Sequence, residues 1–428
     1  MGKKINVLIA VLLLGVCTLT FAKKEKPVVI KIAAGSVGAE VKVTKDQAKM
    51  YMKKHPNVKV IVYSLPPSTT DKLAYYLQLL EAKSSDVDIC TLDVAWLGDL
   101  ASNMLDLKKY GGEKITKEMF PKVAATGFVG DKLAALPCWT DAGMLYYRKD
   151  LLKKYNLQVP KTWTDLTKTA YIIQEGEKKA GNPDFVGFVW QGEAYGGLTC
   201  DALEWIYSND GGAIVSNDKK VTVDNQNAID AINMAASWVG TISPEGVTSM
   251  QEEESRAVFQ SGNAAFMRNW PYAYVLAQGK DSKVKGKVGV GPLPAGKSGH
   301  SAATLGGWLM AVNKYSKHPE IAADVAKFIV SPEAQKVRAL KAGQNPTLMS
   351  LYKDKEVLAS NPFYKDFYDV LMQAVARPST ITAPHFNQVS QTFYKAVYDV
   401  LTKKMDADTA LKGASKKIAK ITGFPIKK

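Results

Sequence analysis

Acidic and aromatic side chains gather just past the apolar runs of this chain, and that pairing suits a polyhydroxylated ligand. Asp93 and Trp96 follow the run at 87–92. Trp139 and Asp141 flank a break between extended runs at 133–139 and 143–147. Glu193 and Tyr195 follow the run at 185–190, in a turn that holds Gly192, Gly196 and Gly197. Trp270 and Tyr272 follow the run at 264–267, and Trp308 follows Gly306 and Gly307. Aromatic faces cover the apolar C–H face of a pyranose ring, and carboxylates accept hydrogen bonds from adjacent hydroxyls. A single tryptophan is more often a core residue. Repetition at five strand ends shifts the balance, because strand ends are where open α/β sheets place ligands.

Other chemistries find less support. Residues 291–298 fit the Gly-x4-Gly-Lys-Ser phosphate-loop pattern. Such a loop cradles phosphates with successive backbone N–H groups, and Pro292 and Pro294 have none. Gly299 and His300 stand where a helix should open toward the anion, so a surface hairpin is expected. Neither a G-x-S-x-G elbow nor an H-E-x-x-H motif occurs. Two carboxylates for glycoside hydrolysis can come from distant segments, and no local pattern marks them. Glu252, Glu253 and Glu254 read as an acidic helix start matched to the macrodipole. His55, His300, His318 and His385 are scattered and no CxxC pair exists, so neither a metal centre nor a cofactor is expected.

The 428 residues allow two or three domains' worth of core, and 46% hydrophobic with 23% charged residues is ordinary globular composition. Residues 1–22 read as an export signal: Lys3 and Lys4, an apolar run from Ile5 to Val16, and a small-x-small site ending at Ala22. Leu14 to Cys17 resembles a lipobox with Val16 in place of a small residue, so a lipid anchor at Cys17 is the alternative to cleavage after Ala22. Cleavage leaves Cys90, Cys138 and Cys200, either as buried thiols or as one disulfide and a thiol. Net charge is +15, from 56 basic and 41 acidic residues. The densest lysines (Lys412, Lys416, Lys417, Lys420) fall on an amphipathic pattern and read as a solvated helix face, with no nucleic-acid signature.

Strand and helix alternate through the first half. Extended runs at 28–33, 58–63 and 87–92 enclose helical patterns at 41–54 and 70–83, the second with Leu73, Leu77 and Leu80 on one stripe. That order implies a parallel sheet covered by helices. Thr162 with Asp165 caps a helix over 163–179, Asp224 opens another over 225–239, and the chain is almost wholly helical from Asn361. Runs at 185–190 and 264–267 between helices argue for a second sheet. With no flexible linker, the two sheets form lobes joined by crossing strands, and pockets favour such interdomain clefts.

The same residues carry a resemblance. Leu92–Trp96, Leu136–Leu152, Gly187–Gly192, Phe266–Tyr272, Thr304–Trp308 and Ala376–Pro378 run in family order. The chain resembles the extracellular solute-binding proteins of bacterial sugar ABC importers, in particular the trehalose/maltose-binding branch. The resemblance implies an α/β, two-lobed periplasmic-binding-protein-like fold of type II. One lobe would hold 23–140 and 309–345, the other 141–308 and 346–428, with three crossings near 136–141, 304–309 and 343–347. It implies that Glu40, Asp93 and Asp141 accept hydroxyl hydrogen bonds and that Trp139, Trp270, Tyr272 and Trp308 line and stack on sugar rings. Gly306 and Gly307 would let backbone N–H groups approach the ligand, and Arg377 would donate to it. The sequence departs from the branch at Lys72, where Arg is common, at Gly196 and at Leu309. The implied protein is a non-enzymatic monomer outside the cytoplasm. It would deliver a neutral saccharide, a disaccharide such as trehalose or maltose, to a membrane permease. An exported glycoside hydrolase and a receptor for an anionic sugar derivative are the rival readings.

Overall fold

The structure, a computed structural model, describes residues 26–427; the export signal and Cys17 lie outside the described residues. Among the described residues eleven strands are formed: β1 Val28–Ala34, β2 Val58–Ser64, β3 Ile89–Asp93, β4 Phe128–Val129, β5 Lys132–Leu133, β6 Leu136–Ala142, β7 Met144–Arg148, β8 Val186–Val189, β9 Ala264–Asn269, β10 Val288–Gly291 and β11 Leu305–Val312. They build a five-stranded sheet in the order β2-β1-β3-β11-β6 and a four-stranded sheet in the order β10-β7-β9-β8, while β4 and β5 form a small hairpin. β1 pairs in parallel with β2 and β3, and β11 runs antiparallel to β3 and β6. Each sheet has its own apolar core. Ile30, Ile32, Leu92 and Met310 belong to the first; Leu145, Phe188, Phe266 and Val397 belong to the second. Trp163, Trp190, Trp205 and Trp238 pack edge-on or tilted in the second core and are fully buried. Each aromatic hides a large apolar area there.

The chain passes from the first sheet to the second at Gly143, the one residue between β6 and β7. It returns at Thr304, just before β11. After the helix Pro332–Ala342 it turns at Gly343, whose φ of +64° favours glycine. From there Asn345 accepts the Thr140 N–H, and Val357, Phe363 and Phe367 join the second core. Within 346–428, which the resemblance assigns to the second lobe, several segments touch the first, at Leu348, Ala374, Arg377 and Phe386 among others. Phe386 packs in the first core, and the Asp99 carboxylate accepts the N–H groups of Phe386 and Asn387 at 3.1 and 2.9 Å. The exposed first-turn donors of the helix Phe386–Leu401 are satisfied across the interface.

Several local expectations are revised. No break occurs at 140–142: β6 runs through to Ala142 because Thr140 and Asp141 pair with Gly307 and Gly306. Asn225, not Asp224, caps the helix Gln226–Trp238. On Thr69–Glu81 the buried stripe is Lys72, Leu73, Tyr76, Leu79 and Leu80, with Leu77 exposed. The phosphate-loop pattern forms a hairpin: Ala295 bridges Ser301 antiparallel, Gly299 takes φ +84°, and the next element is β11. Cys90, Cys138 and Cys200 are free and buried, and burial pushes all three thiols up. Lys412, Lys416, Lys417 and Lys420 are exposed on the helix Ala407–Thr422, opposite Leu411, Ala414 and Ile418. No helix of the described residues is long and apolar enough to cross a membrane.

A Cβ at Gly143 would fall 2.2 Å from Glu204 Oε1 and 2.7 Å from Arg268 Nη2, both buried. Gly143→Ala is expected to destabilise the fold by about 1–3 kcal/mol through overpacking. Denaturant titration checks this; wild-type stability in the variant contradicts the crossing geometry.

Candidate functional site

Three adjacent strands set the floor of a cleft between the lobes. Trp308 on β11 lies between Asp93 on β3 and Trp139 on β6, and Gly306 lies opposite Asp141. Side chains alternate along a strand, so Trp308 shares a face with Gly306, and Trp139 with Asp141. The β11–β6 register shifts after Trp308, where Leu309 faces Pro137 and Cys138 is left over. Such a bulge re-aims neighbouring side chains. The Trp139 and Trp308 rings lie stacked, 5.9 Å apart with 21° between planes.

Helix starts wall the cleft: Glu40 of Glu40–Lys54, Thr69 and Lys72 of Thr69–Glu81, Gly196 and Gly197 of Gly196–Ser208, and Glu252 of Glu252–Gln260. Trp270 and Tyr272 reach in from the turn between β9 and the helix Ala273–Ala277. These groups line one cleft, and the empty space among them, solvent at its mouth included, is about 600 Å³. Its mouth is drawn together where the Gly196 N–H meets Thr70 Oγ1 at 3.3 Å and the Tyr272 ring rests on Gly38.

A basic group lies over the face of each cleft tryptophan. Lys72 Nζ is 4.4 Å from the Trp308 ring, Arg338 4.5 Å from Trp139 and Arg268 4.1 Å from Trp270. Lys72, Arg338 and Arg268 are almost wholly buried, which strengthens cation–π attraction and fixes the rings. Trp270 Nε1 also donates to Glu252 Oε1 at 3.2 Å.

Several polar atoms facing the cleft have no protein partner: Glu40 Oε2, Thr69 Oγ1, Lys72 Nζ, Asp141 Oδ1 and Arg377 Nε. Burial raises the Glu40 carboxyl, opposed by the charges of Lys72 and Arg338. Asp141 is pushed up to about 7, chiefly by burial and then by Glu40, against a hydrogen bond from Trp139.

Of the residues singled out in the sequence, Glu40, Lys72, Asp93, Trp139, Asp141, Trp270, Tyr272, Gly306, Gly307, Trp308 and Arg377 line the cleft. Trp96, Glu193 and Tyr195 do not. Trp96 stands edge-on behind Trp308 at 5.4 Å, and Tyr195 donates from behind to Glu252 Oε2 at 2.7 Å. Glu193 sits in the turn ahead of Gly196, its backbone N–H bonded to Met250 O. Asp93 and Arg377 are engaged with each other in a two-armed ion pair, at 2.6 and 3.2 Å. The two glycines admit protein atoms. Trp270 lies 2.9 Å from where a Gly306 Cβ would be, and Gly307 takes φ +131° beside the Trp139 carbonyl. Sequence reasoning missed Thr69, Gln344 and Glu252 as cleft residues. The acidic run at 252–254 was the available signal, since only Glu252 of the three is buried. Among the described residues no group of three or more His, Cys, Asp or Glu side chains could hold a metal ion.

The family model of the bacterial extracellular solute-binding proteins matches residues 34–336. The chain belongs to that family. This solute-binding protein is 48% identical over 403 residues to a probable ABC transporter-binding protein of Deinococcus radiodurans, covering 94% of this chain and 96% of the relative. Its fold is similar to maltose-bound MalE3 of T. maritima, with TM-score 0.88 and 36% identity over 92% of this chain and all of that one. It is also similar to the GacH receptor of Streptomyces glaucescens, solved unliganded and with acarbose. There the TM-score is 0.82 and identity 25%, over 93% of this chain and 99% of that one. Solute-binding proteins of this kind are not enzymes, and the family is extracellular.

The raised Asp141 makes a pH prediction for the ligand-free protein. The folded state keeps a proton that the unfolded chain releases near pH 4. The stability linked to it is full below that value and is lost as pH rises through about 7. Thermal melts from pH 4 to 8 should show the melting temperature of wild type falling relative to Asp141→Asn as pH rises. A constant difference between the two contradicts the buried, raised carboxyl.

Proposed function

We propose that this protein is the sugar-binding component of an ABC importer and that its ligand is a neutral saccharide, a disaccharide such as maltose or trehalose. One observation carries the reading: unpartnered acceptors and donors share one closed cleft with the faces of three tryptophans. Sugar hydroxyls donate to Glu40 and Asp141 and accept from Lys72, Thr69 and Arg377, while the rings lie on Trp139, Trp308 and Trp270. The charged groups lining the cleft are Glu40, Asp93, Asp141 and Glu252 against Lys72 and Arg377, a balance that favours a neutral ligand over an anionic one. The likeness to MalE3 with bound maltose supports the same choice. Lobes closing over the sugar make contacts that neither makes alone, and that difference biases the open form toward the closed one. The closed form is the one offered to the permease.

A buried carboxyl near 7 is also what a glycosidase's general acid requires, so the test reads both binding and turnover. In calorimetry, maltose or trehalose should bind one to one and be recovered unaltered by mass spectrometry; steady release of glucose contradicts the proposal. Trp270→Ala should weaken binding about 10- to 100-fold, on the scale of burying one large apolar side chain. It should change the ligand-free melting temperature little. Near-normal affinity with a large loss of stability would remove Trp270 from the site.

A further inference from the structure

Glu204 and Arg268 do not line the cleft, yet they touch the crossings between the lobes and the back of a cleft tryptophan. Arg268 Nε donates to Glu204 Oε2 at 2.9 Å and Nη2 to Oε1 at 2.5 Å, and both side chains are almost wholly buried. Glu204 Oε1 also accepts the backbone N–H of Thr304 at 3.0 Å, where the chain enters β11. The Thr304 hydroxyl donates to the Cys200 carbonyl at 2.9 Å, one turn before Glu204 on the same helix. At the other crossing Gly143 lies so close that a Cβ there would collide with Glu204 Oε1 and Arg268 Nη2. The guanidinium then forms the shelf beneath the Trp270 ring. Gln191 Oε1 accepts from Nη1 at 3.0 Å, and Asp201 Oδ1 lies 2.7 Å from Nε.

We propose that the Glu204–Arg268 pair is a positioning element that couples the angle between the lobes to the seat of Trp270. A two-armed guanidinium–carboxylate pair has a fixed plane, and a buried one cannot exchange its partners for water. Rotation of the lobes moves Thr304 and Gly143 against Glu204. Glu204 carries Arg268 with it, and Arg268 carries the indole. The ring is therefore in place to stack only when both crossings sit in their closed arrangement. The inference rests on the reading of Trp270 as a sugar-stacking residue.

The experiment has two arms on the full chain, with maltose as the probe. The first is a double-mutant cycle by calorimetry on Glu204→Gln, Trp270→Ala and the double variant. Glu204→Gln should weaken maltose about tenfold with Trp270 present and about twofold or less with Trp270→Ala, because the path runs through the indole. Equal factors in both backgrounds, or no loss in either, overturn the proposal. The second arm needs no sugar. Small-angle scattering of the ligand-free protein should give a larger radius of gyration for Glu204→Gln than for wild type, and equal radii overturn the proposal. Where Glu204→Gln does not fold, Arg268→Lys keeps the charge, loses the fork and carries the same two arms. If wild type binds no maltose, the sugar reading fails at that point and the scattering arm still judges the coupling.

Discussion

Buried polar atoms without a protein partner set the terms for this molecule. An unpaired buried donor or acceptor costs about 1–3 kcal/mol, and folded chains rarely leave them. Here Glu40, Lys72, Asp141, Thr69 and Arg377 all direct such atoms into one cleft. Glu40, Thr69 and Lys72 stand on helices of the first lobe and Asp141 on β6 of its sheet, while Arg377 comes from the last part of the chain. A ligand rich in hydroxyls relieves the cost only when both lobes close on it.

The rest of the fold serves that arrangement. β11 puts Trp308 between Asp93 and Trp139, and its glycines make room for Trp270 and for the β6 backbone. Arg338 and Arg268, which do not line the cleft, lie over the faces of Trp139 and Trp270, and Lys72, which does, lies over Trp308. The Asp93–Arg377 pair and the Asp99 cap on the helix Phe386–Leu401 bring the last part of the chain back onto the first lobe. Local order and cleft geometry are therefore parts of one network that crosses between the lobes.

Much of this is legible in the sequence. The alternation of β-rich runs with helical stripes placed β1, β2 and β3, and the strand-end positions marked Trp139, Asp141, Trp270 and Trp308. What escaped is what depends on register and partners. The Thr140–Ala142 stretch reads as a break because polar residues interrupt an apolar run, yet pairing with β11 keeps it extended. Trp96 and Tyr195 have the right type at the right distance along the chain, but each falls one layer behind the cleft. Glu252 was read as a helix-start charge. It is one, and its burial beneath Trp270 and Tyr195 comes from a tertiary contact that spacing does not encode. Arg377 and Asp93 were each matched to a ligand, and the fold matched them first to each other.

The central claim is that sugar hydroxyls complete the cleft's unpartnered groups. A crystal structure of the protein grown with maltose tests it most directly. The account predicts sugar rings against Trp139, Trp308 and Trp270, with hydroxyl oxygens within hydrogen-bonding distance of Glu40 Oε2, Asp141 Oδ1 and Lys72 Nζ. Maltose bound elsewhere, or bound in the cleft with those atoms still unpaired, would contradict it.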